Sequence, residues 1–167
     1  MATDLSAVMV LAGSATLDPS DPHAGSIAHN LGNGSGGRRW TNGQASAQAD
    51  RVYLRESSLS AGGGDLYNLV SAGGLTDILG QGIDLGELKG LILRCISGSI
   101  RFEGHASNAI PFFNSNGDAV ILSAGQALAV DFGAAGLDVS SNSRFHIHEE
   151  TGSAAADYKI WFIGANS

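Results

Sequence analysis

From residue 51 onward, apolar and polar residues alternate in short runs that turn-forming residues separate. In RVYLRES (51–57), Val52 and Leu54 fall on one side of an extended chain and Tyr53 on the other. LKGLILRCI (88–96) is short, almost continuously apolar and rich in Leu and Ile, which is typical of a buried central strand. Further runs of strand length are DLYNLV (65–70), SIRFE (99–103), IPFF (110–113), DAVILS (118–123), QALAVDF (126–132), LDVS (137–140), RFHIHEE (144–150) and DYKIWFI (157–163).

This pattern predicts an all-β fold: an antiparallel β-sandwich or jelly roll of about eight strands, spaced roughly 8–12 residues apart. LTDIL (75–79) is predicted as one helical turn, and SGS (97–99) as the turn of a hairpin. NSNGD (114–118) is predicted as another hairpin turn, with Gly117 at positive φ. The closing strand is so apolar that we expect it in the middle of a sheet, since an exposed apolar edge promotes aggregation.

Residues 1–50 have a different character. Hydrophobic periodicity is poor after about residue 17, where the turn cluster DPSDPH (18–23) and the glycine-rich GNGSGG (32–37) lie. We therefore predict an extended N-terminal arm over 1–50, with one or two short strands, and a β-sandwich domain over 51–167. Such an arm needs a surface to pack against, either on its own domain or on a neighbouring subunit.

Composition narrows the class of protein. The chain has 24 glycines, 3 prolines and only 15% charged residues, which is typical of short strands joined by tight turns. Its net charge of −7 argues against nucleic acid as a partner, because phosphate binding needs an excess of Lys and Arg. The sequence has no apolar run as long as a membrane helix, and Asp4 with no preceding Lys or Arg does not fit a signal peptide. We expect synthesis in a cytoplasm and no membrane partner.

The stretch RFHIHEE carries the densest set of chemically active residues. In a strand, His146 and His148 share one face with Arg144 and Glu150, and Phe145 and Ile147 point toward the core. Two imidazoles spaced in this way bind zinc if a third ligand arrives, and His105 is the candidate from a neighbouring hairpin. His23 and His29 belong to the arm. The alternative, which we prefer, is a strand whose polar face carries histidines and responds to pH.

Few other residues or motifs suggest catalysis or ligand binding. Cys95 lies within an apolar run, which favours a small buried hydrophobe over a nucleophile. GGGD (62–65) lacks the Gly-Lys-Ser/Thr of a phosphate-binding loop, and no nucleophile elbow is present. We expect no enzymatic activity, no catalytic residues, no cofactor and no metal.

Arg38, Arg39 and Trp40 are the residues of the arm most suited to a contact. They combine positive charge with a large amphipathic ring, and these residue types are enriched at interface hot spots. The alternative is a glycine-rich surface loop with no partner.

Residues 50–167 resemble a group of small tailed-phage virion proteins in the order of their elements. The shared features are an Asp-Leu element (Asp65-Leu66), an LTDxxG element (Leu75 to Gly80), a strand with lysine between hydrophobic residues (Lys89 to Ile96), a glycine turn (Ala124 to Gln126) and a closing Y-x-I-x-x-x-G strand (Tyr158 to Gly164).

The resemblance implies a head decoration (cement) protein on the capsid exterior, which binds and stabilises the lattice of a bacteriophage. It implies the major capsid protein as partner and self-association as a homotrimer. The chain departs from the simpler members of the group in its long N-terminal segment, residues 1–50. Two roles for this segment stay open: arm exchange with a neighbouring subunit, or docking on the capsid protein.

Three other functions remain as alternatives. One is a tail or fibre component. Another is a carbohydrate-binding β-sandwich module in which Trp40, Tyr53, Tyr67 and Trp161 stack on sugars. The last is a cupin-like zinc hydrolase that uses the three histidines at 105, 146 and 148.

Overall fold

A computed structural model gives the fold of most of the chain. It describes residues 6–10, 37–41, 44–70, 73–77, 80, 82–114 and 117–166. The strands in these residues are β1 (Ser6–Val10), β2 (Gly37–Thr41), β3 (Arg51–Leu59), β4 (Gly64–Asn68), β5 (Leu85–Ser97), β6 (Ser99–Gly104), β7 (Ala119–Ser123), β8 (Ala127–Asp131), β9 (Leu137–Asp138), β10 (Arg144–Glu149) and β11 (Ala156–Asn166).

Strands β3 to β11 form two antiparallel sheets in a sandwich-like arrangement, which confirms the predicted fold class. One sheet has four strands in the order β4-β10-β6-β7. The other has five strands, in which β3, β11, β5 and β8 lie side by side and β9 pairs with β5. The predicted central positions of β5 and β11 are confirmed, because each has a neighbouring strand on both sides.

The core lies between the two sheets and is rich in stacked aromatic rings. Tyr53 of β3 stacks on Phe162 of β11 with ring centroids 4.6 Å apart. Tyr67 of β4 stacks in the same way on Phe145 of β10, at 4.9 Å. Since each fully buried aromatic ring removes a large apolar area from water, these rings dominate the stability of the sandwich.

The predicted hairpin at residues 97–99 is wrong. Strand β5 ends in the five-stranded sheet and β6 begins in the four-stranded one, so the turn carries the chain from one sheet to the other. Gly98 at this turn has φ +71°, and a Cβ there would come within 2.5 Å of the carbonyl oxygen of Ala155. A similar turn, which contains Gly125 (φ +84°), joins β7 to β8 across the two sheets.

Residues 75–79 do not form the predicted helical turn at the positions that the structure describes. The carbonyl of Leu75 accepts a hydrogen bond from the amide of Ile83, 2.9 Å away, and Thr76 forms an isolated antiparallel bridge with Gly82. Pairing of residues 75–76 with residues 82–83, a few positions further along the chain, therefore takes the place of a helical turn.

The loop of residues 105–118, between β6 and β7, differs from prediction in two ways. IPFF (110–113) is not a strand: the amide of Phe113 bonds back to the carbonyl of Ile110, and both phenylalanines pack against Phe102. Gly117 does not have the predicted positive φ. The loop is long and contributes side chains to the core, so no tight turn is needed to connect the paired strands.

The N-terminal strands form a separate two-stranded antiparallel sheet, β1-β2. Trp40 of β2 is fully buried against Ile163 and Val52 on the outer face of the five-stranded sheet, together with Ala49. Just before β3, the carboxylate of Asp50 accepts a hydrogen bond from the amide of Asn166. The division into an arm and a domain at residue 50 stays a prediction.

Candidate functional surfaces

The outer face of the four-stranded sheet carries the histidines of RFHIHEE. The side chains of β10 alternate as predicted, with Phe145 and Ile147 buried and with His146 and His148 on the outer side. The neighbouring strand β6 places Glu103 opposite His146 and Arg101 opposite His148. The prediction of a strand with a polar histidine face is confirmed.

His105 joins these two residues from the loop after β6. Its ring lies edge-on to that of His146, with centroids 4.7 Å apart, and the His146 and His148 centroids are 6.3 Å apart. The amide of Ser107 donates a hydrogen bond to Nδ1 of His105, at 3.0 Å. The fold therefore brings together the three histidines that the sequence suggested as a set.

Ion pairs surround the histidines. Nε of Arg101 donates to Oε2 of Glu103 at 2.7 Å, and Nη1 of Arg101 lies 3.7 Å from Oε2 of Glu150. Nε2 of His148 lies 3.3 Å from Oε1 of Glu103, but the two atoms are not aligned for a hydrogen bond. The face thus carries a network of partly exposed charges in which Arg101 lies close to both carboxylates.

These surroundings shift two pKa values. Burial and the neighbouring His105 and His148 lower the pKa of His146, so the face disfavours a charge on this ring. Burial opposes ionisation of Glu103, but the hydrogen bond from Arg101 and the charge of His148 outweigh it, and the pKa of Glu103 is lowered. At neutral pH the carboxylate is charged and the His146 ring is neutral.

Three neighbouring histidines raise the question of a metal site. Within the part of the chain that the structure describes, no group of three or more His, Cys, Asp or Glu side chains is arranged to hold a metal ion. Metal coordination requires the donor atoms to converge on one point.

Glu149, in contrast, points away from the histidine face. It is almost fully buried, and its carboxylate accepts hydrogen bonds from the amides of Gly62 and Thr151 and from the Thr151 hydroxyl. The hydroxyl of Thr151 is the main reason that the pKa of Glu149 falls to about 2. Its role is to join the loop after β10 to the turn between β3 and β4.

A buried polar network near β4 has no counterpart among the sequence predictions. The hydroxyl of Tyr158 donates to the carboxylate of Asp65 at 2.6 Å and lies 2.7 Å from the hydroxyl of Tyr67. Ser57 donates to the same carboxylate at 2.6 Å, and Arg55 reaches its other oxygen at 3.4 Å. Because these residues come from β3, β4 and β11, the network ties the two sheets together at one corner. The one local sequence feature that could have indicated this network is the acidic residue Asp65, directly after three glycines.

The five-stranded sheet has an apolar row on its outer face that the sequence analysis also missed. Trp161 of β11 lies directly between Leu54 of β3 and Ile92 of β5, with Ala129 of β8 next in the row. Leu54 is 51% exposed. Strand periodicity placed Leu54 on the opposite side from Tyr53, but tertiary structure decided which of the two sides was buried.

The predicted contact residues of the arm lie on β2, where Arg38 pairs with Met9 and Arg39 pairs with Val8 of β1. The indole of Trp40 is buried in the outer-face cluster described above, and its Nε1 has no hydrogen-bond partner among the described residues. A role for Arg38, Arg39 and Trp40 in binding a partner stays a prediction. His23 and His29 lie outside the described residues.

Two other sequence candidates are buried. Cys95 has no exposed surface and its thiol donates to the carbonyl of Ser97, which confirms a small buried side chain in the core; burial raises the pKa of the thiol. Of the four aromatic residues considered for sugar stacking, Trp40, Tyr53 and Tyr67 are buried.

The described residues contain no helix that is both long and apolar enough to cross a membrane.

No protein-family model and no curated protein sequence matches this chain. Among solved structures, it is similar to a protein from Bacillus halodurans, BH2720, with a TM-score of 0.40 and 9% identity, over 71% of this chain and 66% of that one. It is also similar to the coat protein of Tobacco streak virus, with a TM-score of 0.30 and 11% identity, over 71% of this chain and 90% of that one. Similarities at this level carry no argument about function.

Proposed function

We propose that this chain is a non-enzymatic structural protein of a virion, and specifically a decoration or cement protein that binds and stabilises a bacteriophage capsid lattice. The observation that carries the proposal is the presence of large exposed apolar side chains on the outer faces of both sheets. Leu54 lies on the five-stranded sheet, and Leu66 and Ile121 lie on the four-stranded sheet. Exposed apolar groups on opposite sides suit a protein held between neighbouring molecules.

The charged groups support a structural role over a catalytic one. Arg101 and Glu103 pair on one outer face, and Lys159 and Glu56 pair at 2.9 Å on the other. Glu149 is used to hold a loop. These are arrangements that stabilise sheets and turns, and none of them presents an unpaired acid or base to a recessed site.

The partners that follow are the major capsid protein and further copies of this chain, in a homotrimer on the capsid exterior. The family resemblance of residues 50–167 supports this assignment. Many copies on one lattice would add avidity to modest individual contacts, and a net charge of −7 would keep the outer surface soluble. The proposal requires no cofactor, metal, nucleic acid or membrane.

The test is the copy number of this chain in purified particles, measured by quantitative mass spectrometry against the most abundant virion protein. We expect copies in near-stoichiometric ratio to the capsid protein. A handful of copies would overturn the decoration role and favour a tail or fibre component. Complete absence from particles would overturn the virion assignment itself.

A second test concerns the arm. Replacing Arg38 and Arg39 together by glutamate should abolish attachment to undecorated heads, because it reverses the positive charge proposed to contact the lattice while keeping the buried Trp40. Arg94→Glu is the matched control, since Arg94 is an exposed arginine on the five-stranded sheet. Equal loss of attachment in both variants, or in neither, would contradict a contact by the arm.

A further inference from the structure

The register of the four-stranded sheet arranges its outer side chains in two adjacent rows. We call these eight positions the histidine face. The first row is Leu66, His146, Glu103 and Ala119. The second row is Gly64, His148, Arg101 and Ile121.

We propose that this chain forms a two-fold symmetric dimer by packing its histidine face against the same face of a second copy. A two-fold axis that runs between the rows, across the strands, sets the first row of one copy opposite the second row of the other. Two-fold contacts of this kind use one patch twice, so the patch must complement itself. Sheets that pack face to face in this way lie about 10 Å apart and nearly aligned.

The charges of the histidine face complement themselves under this operation. Glu103 of each copy lies opposite Arg101 of the other, so two pairs of opposite sign form across the axis. One step further out on β10, Arg144 lies opposite Glu150 of the second copy. Within one chain Arg101 already contacts both Glu103 and Glu150, at 2.7 and 3.7 Å. Dimerisation would extend these pairs into a shared network, which fixes the register of the contact.

The sizes of the apolar residues complement themselves as well. Leu66, 48% exposed, lies opposite Gly64, and Ile121, 50% exposed, lies opposite Ala119. Both large apolar side chains exposed on the histidine face thus gain a small residue to pack against. The remaining pair, His146 and His148, sets two rings of equal size opposite each other.

The experiment is sedimentation velocity of the purified full chain over a range of concentrations at pH 8 and low salt. We expect a reversible dimer of the 17.0 kDa chain. Arg101→Glu or Glu103→Arg alone should weaken dimerisation about tenfold or more, because each sets like charges opposite each other. The double variant Arg101→Glu with Glu103→Arg should restore it, since it swaps the signs and keeps the complementarity. Failure of the double variant to restore association would overturn the proposed register.

A second pair of variants tests the apolar contacts of the face. Ile121→Glu should weaken the dimer, and Leu54→Glu, equally exposed but on the other sheet, should leave it unchanged. The proposal would be overturned if the wild-type chain were monomeric. It would also be overturned if Ile121→Glu left the dimer or trimer unaffected, or if Leu54→Glu disrupted it. Thermal melts of each variant separate lost association from lost folding. The measurement uses no particles, so it tests this two-fold contact apart from the trimer proposed on the capsid. A wild-type chain that sediments only as a trimer would overturn the dimer and leave the proposed function standing.

Discussion

Single residues in this protein show how a polar group becomes structural when the fold surrounds it. Lys89 interrupts the apolar run of β5, yet it is fully buried. Its ammonium pairs with Glu87 and donates to the carbonyls of Ala134 and Ala135, so it holds the loop between β8 and β9 against the sheet. A buried cation is tolerated only with such partners.

Glu149 gives the clearest pH dependence at the residue scale. Its pKa is about 2 in the folded protein against an ordinary 4.5, mainly because of the Thr151 hydroxyl. The stabilisation is therefore present above about pH 4.5 and is lost as the pH falls toward 2. We expect Glu149→Gln to lower the stability of the protein at neutral pH and to flatten its decline over this acidic window.

Urea unfolding of both proteins at a series of pH values measures this effect. Glu150→Gln is the matched control, because Glu150 is the neighbouring acid but lies on the outer face. A wild-type and a Glu149→Gln curve that stay parallel from neutral pH to pH 2 would contradict the assignment.

At the scale of elements, the turns decide how the strands are distributed between the sheets. Alternation along the chain identified the strands from β3 to β11, but a hairpin and a crossing turn look alike in sequence, since both need glycine at positive φ. In the crossing turn, the backbone at Gly98 lies tightly against Ala155 and Ala156. That contact arises from β11, which follows far later in the chain.

Two glycine substitutions distinguish the cost of backbone strain at positive φ from the cost of a steric clash at these turns. Gly98→Ala and Gly125→Ala both force a side chain into positive φ, which costs about 1–2 kcal/mol. Only at Gly98 does the new Cβ also meet a backbone oxygen, at 2.5 Å, whereas Gly125 has open space. We therefore expect Gly98→Ala to lower the free energy of unfolding distinctly more than Gly125→Ala does, as measured by urea denaturation. Equal losses would show that the collision relaxes at little cost.

At the scale of the whole molecule, the two sheets are held by an aromatic core and by the polar network at one corner. Asp65, Tyr67 and Tyr158 connect β4 to β11 through hydrogen bonds of 2.6 and 2.7 Å. Each hydroxyl is buried, so the loss of a partner leaves a polar group unsatisfied.

Replacing Tyr158 by phenylalanine should therefore destabilise the sandwich by about 1–3 kcal/mol, because Asp65 and Tyr67 both lose a partner. Tyr67→Phe removes only the bond between the two hydroxyls, so we expect a smaller loss. Chemical denaturation of the two variants measures the difference. A larger loss for Tyr67→Phe than for Tyr158→Phe would contradict this account of the network.

The amino-acid pattern was sufficient to predict the all-β class, nearly all of the strands after residue 50, the burial of Cys95 and the shared face of His146 and His148. These follow from side-chain periodicity, which depends only on near neighbours in the chain. Tertiary structure alone decided that Leu54 faces outward and Tyr53 inward, that β5 and β6 lie in different sheets, and that residues 75–77 and 110–113 are not a helical turn and a strand. It also placed His105 beside His146 and Asp65 beside Tyr158. Most of those outcomes depend on contacts between segments far apart in the chain. The short-range pairing of residues 75–76 with residues 82–83 also leaves no mark in side-chain periodicity.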